Sequence, residues 1–288
     1  MPHEFPAPDQ RVLRGVAASL TWQPVDADGS PADPGAAVTV DVTRSDGTVV
    51  AAGAATTGAA SAPRVYALAA ANNPSLDYLT AVWKVGGVAT ATTYIAVVGG
   101  YYASIEEIRA AEPTLTDTRY PTEVLLRARW ETEVEFERIS GVPFVPRLVR
   151  GRYNGTASSS LVLDVGMLRS VRAIRYYSDA TTFTLEQAAN TTAIPPNEFG
   201  IARFVTYASF LEGLANVEVF SEHGYDRPPA DVRRAFFGRV RTRANMAKSG
   251  IPDEATTYAP AEGGGVSFVA PPPWKSICEA YRLPQGVA

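Results

Sequence analysis

Histidine and cysteine are almost missing from this chain. His3, His223 and Cys278 are the only ones in 288 residues, so no disulfide closes within one molecule and no Cys/His set is present from which to build a zinc site. No cofactor or metal is therefore expected. Lysine is scarce as well: Lys84, Lys248 and Lys275 are the only lysines among 26 basic residues, a bias that fits a GC-rich coding sequence and carries no mechanism. No apolar run approaches the roughly 18 residues of a membrane span, and residues 1–10 hold Pro, Glu and Asp where an export signal needs an apolar stretch. These absences predict a soluble, non-exported protein with no membrane partner. An excess of positive charge is also missing. The formal charge is -4, which argues against nucleic-acid binding over the whole surface. What is present is 46% hydrophobic residues against 19% charged, enough for one large or two ordinary cores.

From 12 to 98 the chain alternates short apolar stretches with turn residues. Val38, Val40 and Val42 alternate with Thr39, Asp41 and Thr43, the period of a strand with one buried face, and Asp46-Gly47 follows as a hairpin turn. Further strands are read around Leu20 and Trp22 and over 65–68, 79–85 and 89–98, at the spacing of a β-sandwich. An immunoglobulin-like sandwich without a disulfide is expected over 1–99. The Ala- and Gly-rich stretch 51–63 fits a strand and a flexible loop, which its composition does not decide.

After Gly99-Gly100, read as a joint crossed by few contacts, the pattern changes. Ser104 and Glu107 have the spacing of a capping box. A long helix over 121–139 places Leu125, Ala128, Thr132, Phe136 and Ile139 on one face and ends at Gly141. Alternation returns over 148–221 as a β-rich insertion. A Pro228-Pro229 start then opens a helix ending near Gly250, with Val232, Phe236, Val240 and Ala244 as its buried stripe. The expected organisation is thus multidomain: an all-β domain over 1–99, an α+β domain over 100–250 with its insertion, and an extended arm over 251–288 with a short helix at 274–281.

Catalytic chemistry finds little purchase. His223 reads as a surface turn histidine, and Cys278 as a packed or exposed thiol without an activating base. The carboxylates single out no pair, and Gly263-Gly264-Gly265 lacks the Lys and Ser/Thr of a phosphate loop. The helix at 229–249 is rich in cations (Arg233, Arg234, Arg239, Arg241, Arg243, Lys248), whereas the earlier one is rich in Glu. Such helices would pair acid with base between copies in a ring. Trp130 and Val134 fall on the polar side of the earlier helix, which means either a broad buried face or a subunit interface, where Trp is enriched. Arg127 and Glu131 complete that candidate interface.

The stretch 120–147, with its helix running into Phe144, Pro146 and Arg147, resembles the head-tail connector (adaptor) proteins of tailed bacteriophages. So does 217–235, where Gly224, Tyr225, Pro228, Pro229, Val232 and Ala235 match that family's strand, Gly-Tyr turn and Pro-Pro-opened helix. The resemblance spans about 104–249; the N-terminal sandwich departs from its smallest members. It implies a virion protein, assembled in the host cytoplasm, that forms a twelve-subunit ring under the portal protein. Such a ring meets a stopper or tail-completion protein below and lets double-stranded DNA pass. It implies no catalysis. Under this reading Glu133 and Glu137 are expected to face the channel, since a channel that gripped phosphates would retard the genome. Trp274, Ile277, Tyr281 and Leu283, on an arm behind a glycine hinge and a triple proline, are expected to dock on the portal. A capsid-decorating or receptor- or carbohydrate-binding virion protein is the alternative, and a hydrolase with an appended sandwich a remote one.

Overall fold

The computed structural model describes residues 5–178, 182–187, 191–193, 201–204, 209–249 and 273–282. The first region holds seven strands: β1 (Gln10–Leu13), β2 (Ala18–Trp22), β3 (Val38–Thr43), β4 (Val49–Ala55), β5 (Arg64–Leu68), β6 (Asp77–Val85) and β7 (Val88–Val98). Five form a sheet in the order β1-β7-β6-β3-β4, and β2 pairs with β5 in a second layer. β1 runs parallel to β7, while the other pairs are antiparallel. The alternation read in β3 is real: Val38, Val40 and Val42 are buried, and the residues between them are half-buried. They face Leu20, Leu68, Leu79, Trp83 and Ile95 in one core between the layers. Gly47 adopts a positive φ of 89° in the β3–β4 turn, which asparagine or glycine tolerates and other residues resist. The stretch at 51–63 resolves into the rest of β4 and a loop held by a bridge between Thr57 and Val65. Two layers were expected; the second is only two strands wide.

The second region begins with α1 (Ile105–Ala111), where the capping box forms in full: the Glu107 amide donates to Ser104 Oγ at 3.1 Å and the Ser104 amide to Glu107 Oε2 at 2.8 Å. Helix α2 (Thr122–Ser140) stops at Gly141, whose φ of 69° makes the left-handed cap, and α3 (Ala230–Ser249) follows the Pro-Pro pair. Val232, Phe236, Val240 and Ala244 are all fully buried, packing with Leu125, Ala128 and Phe136 of α2. Between these helices lie β8 (Arg147–Gly155), β9 (Ser160–Val162), β10 (Leu168–Tyr177), β11 (Phe183–Gln187), β12 (Thr191–Ala193), β13 (Ile201–Phe204) and β14 (Gly213–His223). They make a four-stranded sheet, β11-β10-β14-β8, and a three-stranded one, β12-β13-β9. The insertion has its own core around Leu161, Leu168, Ile174, Phe210, Val217 and Val219.

Three expectations are corrected here. Gly99 is a close approach and no loose joint: a Cβ on it would lie 2.8 Å from Pro146 Cβ, and its amide donates to the Pro146 carbonyl at 2.7 Å. Phe5 stacks on Tyr78 with ring centroids 4.3 Å apart and meets Phe220 of the insertion at 6.2 Å. Arg172 of β10 donates to the Leu76 carbonyl at 2.6 Å. The two regions are therefore fastened together. Second, the C-terminal helix α4 (Pro273–Ala280) packs on its own subunit rather than projecting from it. Trp274 stacks on Phe136 at 5.6 Å and Tyr281 meets Phe144 at 5.4 Å, while Cys278 is fully buried. An amphipathic helix with an apolar groove of its own chain within reach buries its stripe there. Third, His223 is no surface residue. It is fully buried on β14, with Nε2 2.8 Å from Ser221 Oγ and Nδ1 2.9 Å from the Gly166 carbonyl. A nucleophile-and-base geometry of this kind, closed off from solvent, works as a satisfied core pair.

Candidate subunit interface and the ion cluster behind it

Helix α2 is buried on more than one side. Its Leu125, Phe136 flank faces α3, and a second flank, bearing Glu133 and Glu137, is pressed against the first β region. There Arg11 of β1 reaches between the two carboxylates, with Nη1 3.1 Å from Glu133 Oε2 and Nη2 2.6 Å from Glu137 Oε2. Arg147 adds a second cation, its Nη1 2.6 Å from Glu137 Oε2. The Tyr102 amide donates to Glu133 Oε1 at 3.0 Å. The side chains of Arg11, Glu133 and Glu137 are 3%, 1% and 5% exposed. The expectation that Glu133 and Glu137 line a channel is thus overturned within a single subunit: each is neutralised by arginine in a buried seam.

Burial works against the charge of Arg11, but Glu137 and then Glu133 more than offset it and hold the guanidinium protonated. For Glu133 burial dominates. It pushes the carboxyl from an ordinary 4.5 up to about 7, against the pull of Arg11 and the Tyr102 amide. A folded-state value above the unfolded one means that folding takes up a proton between these limits, so this group's contribution to stability falls as pH rises through about 7. His223 acts oppositely. Burial pushes its ring from 6.5 down to about 4, so its contribution is lost as pH falls through that window. The difference between wild type and Glu133→Gln isolates the carboxyl: the stability gap is expected to shift by on the order of 3 kcal/mol between pH 5 and 8, the wild type losing ground as pH rises. Parallel profiles in urea unfolding would refute this.

Helix α3 shows where the opposite charges of the two helices go. Arg239 binds Glu135 through Nε at 2.8 Å and Nη2 at 3.0 Å. Arg243 reaches Glu131 at 2.8 Å and Glu135 at 3.2 Å, Arg241 reaches Glu112 at 2.9 Å, and Arg233 pairs with Glu107. The acid-to-base pairing expected between copies is formed inside one subunit. For Glu131 and Glu135 the reason is geometric, as antiparallel packing of the apolar stripes of α2 and α3 brings their charged margins together, whereas Glu107 and Glu112 come from α1 and its C-terminal end.

Outside these contacts α2 keeps an uncovered stripe. Leu126 and Val134 are 40% and 39% exposed, and Trp130 lies half-buried between them with the Arg11 guanidinium 4.9 Å from its ring. Arg127, 81% exposed, bonds to Glu131 at 2.8 Å one turn on. Beside the stripe an open groove of about 440 Å³ is lined by Arg11, Val12, Tyr101, Leu126, Arg129 and Trp130. Of the expected interface set, Val134 and Arg127 lie on the surface, Trp130 is shared between surface and seam, and Glu131 is held by Arg127 and Arg243. Leu126 was missed by sequence reasoning, although it falls four residues before Trp130. Trp274, Ile277 and Tyr281, expected to dock on a portal, pack instead in the helical core, with Tyr281 Oη donating to Asp231 Oδ1 at 2.9 Å. Leu283 and the glycine hinge at 263–265 lie outside the described residues.

Among the described residues no helix is long and apolar enough to cross a membrane, and no group of three or more His, Cys, Asp or Glu side chains is placed to hold a metal ion.

No known family matches the chain, and no curated protein does. Among solved structures it is similar to a chain in the neck of an empty GTA particle computed with C6 symmetry, at 14% identity and a TM-score of 0.43, covering 63% of this chain and 89% of that one. A chain in the virion of a native gene transfer agent (GTA) particle gives 15% identity and a TM-score of 0.44, with the same coverage. One in the neck of a native GTA particle computed with C12 symmetry gives 14% and 0.40, over 65% of this chain and 94% of that one.

Proposed function

We propose that this chain is a structural virion protein, a head-to-tail adaptor whose copies, twelve in number, form a ring beneath the portal protein and carry the DNA channel toward a stopper or tail-completion protein. The supporting observation is the meeting of two segments about eighty residues apart that together carry the connector resemblance. Phe144 is fully buried with its ring 5.9 Å from that of Tyr225. Gly224 has a φ of 111°, and a Cβ there would run into the Val145 carbonyl. Pro146 is held by Gly99, and Arg147 by Glu137. Phe144, Pro146, Arg147, Gly224 and Tyr225 thus each have a packing duty that their type explains.

The N-terminal sandwich is read as immunoglobulin-like on its strand order, five strands facing two, with the first strand parallel to the last. Four of the six cations of α3 support passage of DNA without gripping, since Arg233, Arg239, Arg241 and Arg243 each bond to a carboxylate of the same subunit, while Arg234 and Lys248 are exposed. Cations already paired release few counterions to a phosphate backbone. Portal contact is assigned to none of Trp274, Ile277 and Tyr281, and the lumen neither to Glu133 nor to Glu137, because all are occupied within the subunit. The uncovered stripe Leu126, Trp130, Val134, with Arg127, is the ring interface in this reading.

Native mass spectrometry and cryo-electron microscopy of the full chain mixed with the portal protein encoded in the same genome test the proposal. Twelve copies stacked on one end of the portal ring are expected. A portal ring that stays bare at saturating concentrations of this chain would refute it.

A further inference from the structure

We propose that the tip of the β insertion, carrying Leu211 and Leu214, docks in the groove beside α2 of a second copy of this chain. The inference rests on the ring reading and supplies the contact that would repeat around it.

Leu214 is 88% exposed and Leu211 58%, an unusual concentration of apolar surface at the bulged start of β14. This bulge is built to keep them outward. Phe210, fully buried in the insertion core, anchors one side, its amide donating to the Ser158 carbonyl at 2.8 Å. Asn216 fastens the other: its Oδ1 accepts from the Gly155 amide at 3.0 Å and its Nδ2 donates to the Leu211 carbonyl at 3.0 Å. Ala215 takes a positive φ of 47°, and its amide donates to Asn154 Oδ1 at 2.7 Å. Two leucines held out by this many bonds lose little freedom on binding, which is the condition for a preorganised knob.

The groove offers what such a knob needs. Val12, Leu126 and Trp130 give it an apolar wall and Gln10, Ser19 and Thr21 a polar rim. Charge is matched as well. Between the two leucines stands the exposed Glu212, and at the groove stands Arg129, its guanidinium 3.8 Å from the Tyr101 ring centroid. Neither makes an ion pair among the described residues. Knob and groove are different patches of one chain, so joining them gives a head-to-tail contact that propagates from copy to copy and closes into a ring when the rotation allows; a self-complementary patch would stop at a dimer.

The test uses the full chain carrying Leu126→Cys and Leu214→Cys together, oxidised at high protein concentration and run on a denaturing gel without reductant. A ladder of dimers, trimers and larger species is expected, whereas either substitution alone stops at dimers. Glu212→Arg is expected to lower assembly at least tenfold by sedimentation, and Arg129→Glu added to it to restore assembly. If rings form on the portal, yet the double-cysteine chain gives no ladder and Glu212→Arg assembles normally, the knob inference is overturned while the ring reading stands. If neither ring nor ladder forms, both fall.

Discussion

Arg11→Ala is expected to lower the stability of the folded chain by about 3–5 kcal/mol, the usual cost of removing one partner from a buried ion pair. Two carboxylates, Glu133 and Glu137, converge on this one guanidinium, and Arg147 touches only the second. Taking Arg11 away leaves Glu133 fully buried with the Tyr102 amide as its remaining bonded partner. The loss should be larger at pH 8 than at pH 5, because Glu133 escapes the penalty by taking a proton at low pH. Adding Glu133→Gln should recover part of the loss, since the amide oxygen still accepts from Tyr102 and no charge is left bare. The effect also crosses the molecule: Arg11 lies on the edge strand of the first sheet, so its loss should loosen the sandwich from the helices. Urea unfolding followed by tryptophan fluorescence reads it, and a loss under about 1 kcal/mol at pH 8 would show that the seam is solvated. For the same reason the segment 1–99 made alone should be less stable than within the chain, with Arg11 stripped of both carboxylates.

Trp274→Ala should release α4 from the helical core, with a stability loss of about 3 kcal/mol, at the lower end for a large aromatic because the side chain is only half-buried. Trp274 is the stacked cover of Phe136, the rings 5.6 Å apart and 6° from parallel, and the Arg239 guanidinium lies 4.8 Å from its ring on α3. Cys278 provides the reporter. It is fully buried, and burial pushes its thiol from 9.0 up to about 12, so both access and thiolate content are low in the packed helix. The thiol of the wild type should react with a disulfide reagent only as slowly as α4 opens. In Trp274→Ala it should react at least tenfold faster at unchanged pH. Equal rates in the two proteins would mean that α4 is held by something other than this stack.

The capping box of Ser104 and Glu107, the left-handed stop at Gly141, the turn at Gly47 and the buried stripe Val232, Phe236, Val240, Ala244 were all legible in the sequence. Each depends on groups within a few residues, and helix and strand periods project those groups onto known faces. The helices and most strands followed from the same local signals, but β1, β8 and β12 carried no alternation that marked them. The candidate site was legible only in part. Trp130 and Val134 stood out as apolar residues on a polar flank, but Glu133 and Glu137 on the same helix carried no sign of burial. A glutamate reads alike in sequence whether it meets water, a neighbouring copy or a buried arginine. What decided between these was the approach of Arg11 from 122 and 126 positions away, and of Arg239 to Glu135 from 104. Trp274 and Tyr281 were assigned to a portal for the same reason that the acids were misplaced: they advertise an apolar face without naming its partner. Local chemistry determined by itself which elements form and which of their faces are apolar. Which charges are neutralised, and which apolar faces remain open, only the tertiary structure decided, because burial is a property of what comes to lie opposite a side chain and that neighbour is set by the packing of distant segments.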